Sequence, residues 1–292
     1  MWAARKWTDY ELLDAGRGEK LERWGKYILR RPDPQAIWPA NKNAGAWGAA
    51  DAVYARSSGG GGRWDFNTQV PESWTIGYGV LRLRVKPMQF KHTGVFPEQA
   101  ANWDWAAEKI RASGKSDIKV LNLFAYTGAA TAAAAAAGAA VCHVDAARGM
   151  LGMAKENAVL SSVPARNTRF IVDDVFKFVR RELRRGSRYD AIIMDPPAYG
   201  RGPDGELWKA EDQLSEIIDF CAGLLSEAPL FFLVSSYASG ISAVSIENTL
   251  KVALKGKHGG RTESGELGLP VSSRKKDGIF LPCGCAARWE RG

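Results

Sequence analysis

The sequence predicts an α/β protein: a doubly wound parallel sheet with an antiparallel hairpin at one edge, preceded by a small β-rich module. Three observations predict it. From Ile118 onward, short apolar runs alternate with longer stretches of helical period, the pattern of successive β–α–β units. The tail breaks that rhythm, because residues 261–266 and 278–288 read as two strands joined by a long basic loop. Composition also shifts near residues 80–90: seven of the eleven tryptophans (Trp2, Trp7, Trp24, Trp38, Trp47, Trp64 and Trp74) precede Val80, among many glycines and prolines. The expected division is a β-rich module at 1–85 and an α/β domain at 86–292.

The elements follow in order. Within the first module, Ser57-Ser58-Gly59-Gly60-Gly61-Gly62 is too flexible for an element interior and marks a mobile turn. Leu81-Arg82-Leu83-Arg84-Val85 alternates apolar and basic residues, the period of a half-buried strand. The tryptophans suit base stacking, but packing onto the larger domain is the preferred reading, since Trp is a common core anchor. In the second domain strands are expected at 119–124, 141–145, 169–174, 189–195 and 230–236. Helices are expected at 129–137, 149–160, 175–184, 211–226 and 243–255.

With 46% hydrophobic and 25% charged residues in a chain of 292, the composition is that of a globular protein and excludes disordered and fibrous classes. Lys and Arg number 40 against 32 Asp and Glu, a net charge of +8, which favours a polyanionic partner such as nucleic acid. The N-terminus has no apolar core of secretory length. The uncharged stretch 120–144 is interrupted by Asn122, Thr127, Thr131 and His143 and reads as strand–loop–helix–strand, so no membrane partner is expected. Four irregularly spaced cysteines (Cys142, Cys221, Cys283, Cys285) do not make a disulfide scaffold, and Cys283-Gly284-Cys285 lacks the second pair or histidine of a zinc site. Reduced thiols, a cytoplasmic location and no bound metal are expected.

Open α/β sheets bind ligands at the carboxyl ends of their strands. Here the first strand ends in Phe124-Ala125-Tyr126-Thr127-Gly128, the second in Asp145, the third in Asp173-Asp174 and the fourth in Asp195-Pro196-Pro197-Ala198-Tyr199-Gly200. An acid at the second tip is placed to accept hydrogen bonds from ribose hydroxyls, while Asp173 or Asp174 also suits a helix N-cap. The first turn is neither a G-x-G-x-x-G nor a G-x-x-x-x-G-K-[ST] loop, so no pyrophosphate cradle is present. A nucleoside cofactor without phosphates fits instead, which points to S-adenosylmethionine, its ribose on Asp145 and its adenine by Asp174 and Val175. Two prolines remove two donors and leave carbonyls to face the site. Together with the Asp195 carboxylate they can orient an amino group toward a methyl donor, a catalysis made mostly of positioning. Tyr199 is expected either to stack on a planar base or to cover the cofactor.

These segments, Lys119 to Gly128, Val144-Asp145, Asp174-Val175-Phe176 and Ile193 to Tyr199, resemble the class I S-adenosylmethionine-dependent methyltransferases, and within them the bacterial 23S ribosomal RNA methyltransferases. His92-Thr93-Gly94-Val95-Phe96-Pro97-Glu98-Gln99 resembles that group's K-T-G-x-x-x-D-Q segment, which helps enclose the cofactor. The resemblance implies a seven-stranded Rossmann-like sheet with its last strand antiparallel and an RNA substrate. It also implies cofactor contacts from Thr93, Gly94, Phe96, Gln99, Phe124, Ala125, Tyr126, Gly128, Asp145, Ala146, Asp174, Val175 and Asp195, with Asp195, Pro196, Pro197 and Tyr199 placing the acceptor. Two departures stand out. Relatives that methylate cytosine C5 carry a cysteine after the fourth or fifth strand, where this chain has Asp195 to Tyr199 and Val234-Ser235-Ser236-Tyr237. A nitrogen or oxygen acceptor is therefore expected, and Cys283 or Cys285 would substitute only if the tail folded over the site. Residues 1–85 do not match the RNA-binding barrel common in those relatives, which keeps a protein or small-molecule acceptor, or a non-catalytic RNA-binding role, in view.

Three basic groups complete the reading. Arg180, Arg184 and Arg188 recur every four residues beside Arg181 and Arg185; Arg274-Lys275-Lys276 lies in the tail loop; Arg82, Arg84 and Lys86 share a strand face. The tail and linker groups are expected to flank the strand tips where substrate enters.

Overall fold

In a computed structural model describing residues 1–41, 44–57, 61–88, 91–202 and 204–292, strand propensity dominates the first hundred residues. The middle of the expected Ser57-to-Gly62 turn, residues 58–60, lies outside the described residues. The chain divides into two compact units, one of Trp2–Ala101 with Leu267–Cys283, the other built on Asn102–Glu266 and Gly284–Gly292.

The smaller unit opens with β1 (Trp2–Ala3), β2 (Tyr10–Gly16), β3 (Glu19–Trp24) and β4 (Tyr27–Pro32), followed by the short α1 (Ala44–Gly48), β5 (Ala52–Arg56) and β6 (Gly62–Phe66). Strands β2 to β6 form a five-stranded sheet in sequence order, with β4 and β5 parallel and the other pairs antiparallel. A separate hairpin follows, β7 (Trp74–Tyr78) with β8 (Leu81–Val85). The alternation in β8 is realised as expected, Leu81, Leu83 and Val85 being buried. Its arginines are spent locally, Arg82 on the carbonyls of Gly79 and Leu81 and Arg84 on the Ser73 hydroxyl.

The unit continues past residue 85 because backbone bonds carry it on. Lys86 and Met88 donate to Thr93 and His92, the Trp64 indole donates to the Met88 carbonyl and that of Trp7 to Pro97. It also recruits the tail: Trp2 and Ala3 pair with Leu267 and Gly268, and the Ser273 hydroxyl donates to Asp14 at 2.6 Å. The expected basic loop is thus a 3-10 helix, Ser272–Asp277, in which the Arg274 guanidinium donates to the Pro39 carbonyl. At the heart of this unit Arg31 clamps the fully buried Glu22 through two bonds of 2.6 and 2.8 Å, and the Tyr10 hydroxyl donates to the same carboxylate.

The larger unit begins with α2 (Ala100–Ala112), a helix the strand–helix alternation did not signal. Then come β9 (Lys119–Leu123), α3 (Ala129–Ala136), β10 (Ala140–Asp145), α4 (Arg148–Leu160), β11 (Thr168–Val172), α5 (Val175–Arg184) and β12 (Ala191–Met194). A short hairpin of β13 (Tyr199–Arg201) and β14 (Leu207–Lys209) precedes α6 (Ala210–Ala222), β15 (Phe231–Ser236), α7 (Ala243–Leu254), β16 (Arg261–Pro270) and β17 (Phe280–Glu290). The strands order as β16-β17-β15-β12-β9-β10-β11, with β17 antiparallel to β15 and the run from β15 to β11 parallel. This is the expected doubly wound sheet with an antiparallel hairpin toward one edge, and β1 beside β16 gives it eight strands where seven were expected. Residues at every position of β12 and β15 are buried, as expected for strands covered on both faces. Helix α5 shows the logic of the cover: Val175, Phe178, Val179 and Glu182 recur on one buried face. The chain leaves β9 toward β10 and β11 on one side and returns to β12 and β15 on the other, so a crevice opens beyond the carboxyl ends of β9 and β12.

Candidate active site

The turn after β9 is the most constrained backbone in the larger unit. Phe124, Tyr126 and Gly128 all have positive φ, at 53°, 50° and 79°, a region that costs bulky residues about 1–3 kcal/mol each. Three contacts hold the turn in place. The Ala125 N–H donates to the Val144 carbonyl, the buried Asn157 amide donates to the Thr127 carbonyl at 2.8 Å, and the Tyr126 N–H donates to Asp145 Oδ2 at 2.7 Å. Gly128 is required twice over, since besides its φ a Cβ there would lie 2.9 Å from that of Ala154.

Beneath this turn runs a buried polar chain that sequence reasoning used only as evidence against a membrane span. The Asn122 amide donates to the Thr131 hydroxyl, which lies 2.9 Å from His143 Nδ1. Burial holds the His143 imidazole neutral, its pKa lowered to about 3.

Asp145 sits at the tip of β10 as expected. Its other oxygen, Oδ1, accepts from the Ala147 N–H at 2.8 Å, so the two backbone bonds fix the carboxylate plane and leave each oxygen a further acceptor position. Burial raises its pKa, opposed by those same two bonds. Ala146 lies between Asp145 and the donor Ala147. Asp174 caps α5, its Oδ1 accepting from the Lys177 N–H at 2.9 Å, and Val175 is buried just after it. Asp173 is committed to Arg181 at 2.6 Å.

Asp195 follows β12, its N–H donating to the Leu123 carbonyl, so the D-P-P segment and the β9 turn are stitched together at the crevice. One expectation changes here. The Pro197 carbonyl does not face an open site, because the Trp208 indole donates to it at 2.6 Å, which leaves the Pro196 carbonyl for the D-P-P argument. Tyr199 is 55% exposed on β13. The ring that packs here is Trp208, buried 4.8 Å from Phe124 and 6.1 Å from Phe176. Its signal in the sequence was a lone tryptophan eleven residues after Pro197, with no motif around it.

Thr93, Gly94, Phe96 and Gln99 belong to the smaller unit, where Thr93, Glu98 and Gln99 are buried and Phe96 meets His92 edge-on. The four cysteines are thiols: burial raises the pKa of each, Cys142 to about 11. Cys285 stands opposite Ser236 at the carboxyl end of β15, but its Sγ donates to the Ile241 carbonyl within the hydrophobic core. No group of three metal-ligating side chains occurs among the described residues, and no helix of the described chain is long and apolar enough to cross a membrane. Three of the five arginines in and beside the expected stripe are taken up in ion pairs, Arg180 with Glu216, Arg181 with Asp173 and Arg185 with Glu182, while Arg184 and Arg188 are exposed.

A carboxylate oriented at the second strand tip and a first turn of positive-φ residues without a glycine-rich phosphate loop suit a nucleoside cofactor. The family model of S-adenosylmethionine-dependent methyltransferases matches residues 44–212. The chain belongs to this family. A solved methyltransferase of the family from Agrobacterium tumefaciens is 38% identical over 99% of this chain and 93% of its own, with a TM-score of 0.94. A methyltransferase structure from Streptococcus mutans shares the fold at 19% identity and a TM-score of 0.72, over 98% of this chain and 76% of that one. Among curated relatives, "Ribosomal RNA large subunit methyltransferase I" of Aeromonas hydrophila is 37% identical over 122 residues, 41% of this chain and 30% of that protein. Its Yersinia pseudotuberculosis counterpart is 35% identical over 120 residues, 41% of this chain and 29% of that protein. The match thus spans under a third of the curated relatives' length. The cofactor that names the family carries a ribose, and the Asp145 carboxylate keeps an acceptor position on each oxygen.

Proposed function

We propose that this methyltransferase modifies a nitrogen or oxygen atom of a structured RNA, of the ribosomal class, met in the cytoplasm. The observation that carries the reading is the Asp195-Pro196-Pro197 segment held beside the β9 turn by the Asp195 N–H. The name printed for the curated relatives supports an RNA acceptor, as does the +8 charge. The acceptor chemistry is supported by the thiols: covalent addition to a pyrimidine ring needs a thiolate, which burial disfavours at each cysteine.

In this reading Asp145 accepts hydrogen bonds from the cofactor ribose, and the second carboxylate oxygen of Asp174 and the Val175 side chain border the adenine. Bound S-adenosylmethionine supplies an electrophilic methyl group. The Asp195 carboxylate and the Pro196 carbonyl accept hydrogen bonds from the acceptor N–H or O–H, turning its lone pair toward that methyl. As the acceptor–methyl bond forms, the methyl–sulfur bond of the cofactor would break with its electron pair left on sulfur as S-adenosylhomocysteine, and the acceptor proton passes to Asp195. Tyr199, exposed on β13, offers a ring to a neighbouring base. Catalysis by such a site is alignment of two reactants.

The test is transfer of labelled methyl to cellular RNA by the full chain, with mass mapping of the modified nucleoside. Incorporation that Asp195→Ala abolishes is expected. Equal incorporation into ribonuclease-treated lysate would replace RNA with a protein or small-molecule acceptor, and a C5-methylpyrimidine product would overturn the acceptor chemistry.

A further inference from the structure

At the end of the sheet opposite the strand tips, the larger unit has a cavity of about 350 Å³, within the range of small-molecule sites at about 300–1,000 Å³. It forms where β9, β10 and β11 begin and the chain returns to β12. Four cations line it: Lys119 starts β9, Arg166 lies in the 3-10 turn before β11, Arg169 is the second residue of β11 beside Cys142, and Arg188 precedes β12. All four are exposed, and none has an ion-pair partner among the described residues. The one carboxylate in the lining, Glu182, is buried and already bonded by Tyr189 at 2.8 Å and Arg185 at 3.1 Å. On the same unit Arg180, Arg181 and Arg185 pair with acids, whereas these four cations are gathered without one among the described residues.

Helix dipoles do not account for the cluster. Cations in the last turn of a helix offset its negative end, and Arg181 and Arg184 do so in α5. Lys119, Arg166, Arg169 and Arg188 sit on strand starts and loops instead. A concave site with several unpaired cations and a buried, neutralised acid selects a ligand carrying successive phosphates. Among such ligands the RNA acceptor is the polyanion this enzyme is built to meet, and contacts to its backbone set register without reading sequence.

We propose that this basin grips the sugar–phosphate backbone of the RNA substrate, at the opposite end of the sheet from the methyl-transfer crevice. The proposal rests on the RNA-acceptor reading above. The experiment is filter binding of a large-subunit ribosomal RNA transcript to the full chain over a series of potassium chloride concentrations. The Arg166→Ala/Arg169→Ala/Arg188→Ala variant is compared with the corresponding triple lysine variant. Each lost phosphate contact lowers the salt slope by about one, so the alanine variant is expected to lose about two to three, and the lysine variant to keep it. Affinity for S-adenosylhomocysteine stays unchanged in both, which shows the sheet is intact. A wild-type slope in the alanine variant overturns the basin while leaving RNA as the acceptor. Absence of any salt-dependent binding by the wild type overturns the RNA reading itself. If inorganic phosphate binds the wild type but not the alanine variant by calorimetry while RNA affinity and salt slope are the same in both, the basin holds free phosphate and the backbone assignment fails.

Discussion

Asp145 performs two tasks with one carboxylate. It accepts the Tyr126 and Ala147 N–H groups, fixing the turn whose positive-φ residues border the crevice, and it keeps acceptor positions for a ribose. A hydrogen bond to a charged acceptor contributes about 1.5–3 kcal/mol, so Asp145→Asn is expected to weaken S-adenosylhomocysteine binding by about ten- to a hundredfold; calorimetry showing full affinity would remove Asp145 from the site. Gly128→Ala combines a left-handed φ with a Cβ placed 2.9 Å from Ala154, and about 1–3 kcal/mol of stability is expected to go, seen as a lowered Tm. Cys285→Ala, by contrast, removes a thiol that points into the core at the right end of β15. Methyl transfer is expected to persist, and an inactive but folded variant would revive a cysteine mechanism.

At the scale of elements, the β13–β14 hairpin and α3 do the positioning. Trp208 locks the hairpin to the D-P-P segment through the Pro197 carbonyl and fills the space against Phe124. Trp208→Phe keeps a ring but loses a hydrogen bond of about 1 kcal/mol; kcat is expected to fall severalfold with cofactor affinity unchanged, whereas an unaltered rate would detach the hairpin from acceptor placement. Helix α3 is tied to the sheet by the Asn122–Thr131–His143 chain. His143 gives this tie a pH dependence: burial lowers its pKa to about 3, from the ordinary 6.5 of a free imidazole. Above that unfolded value both states are neutral. As pH falls below it, the unfolded chain gains a proton the folded one refuses, so stability declines by up to about 1.4 kcal/mol per pH unit.

Across the whole molecule both units are acid-sensitive. Burial with the nearby Arg31, Lys91 and Lys20 lowers the pKa of His92 in the smaller unit to about 4, as burial lowers that of His143 in the larger to about 3. In the smaller one Glu22 is buried, which would raise its pKa, yet Arg31, Lys20 and the Tyr10 hydroxyl outweigh this and hold it at about 2, against 4.5. Its contribution is fully present above the unfolded value and is lost as pH falls from there toward 2. Denaturant titrations are therefore expected to show the loss from His143 beginning below pH 6.5 and that from Glu22 below 4.5. A His143→Asn variant whose stability declined as steeply as wild type between those values would contradict the first assignment.

What the amino-acid sequence determined by itself was whatever depends on local periodicity. The alternation of apolar runs with helical stretches placed all five parallel strands and five of the helices, and the strand tips located Asp145, Asp174 and Asp195. Gly128 and the D-P-P segment were legible for the same reason, since turn residues announce themselves within a few positions. Only the tertiary structure decided which long-range partners those residues take. It put the Trp208 indole on a carbonyl expected to be open, left Tyr199 exposed, drew Arg180 to Glu216 thirty-six residues on, and carried Leu267–Cys283 back to the N-terminal strands. Helix α2 also went unread, because two tryptophans and scattered charges blur its apolar face. Spacing reports the direction in which a side chain leaves its own element; what meets it there is set by the packing of distant elements, which neighbouring residues do not encode.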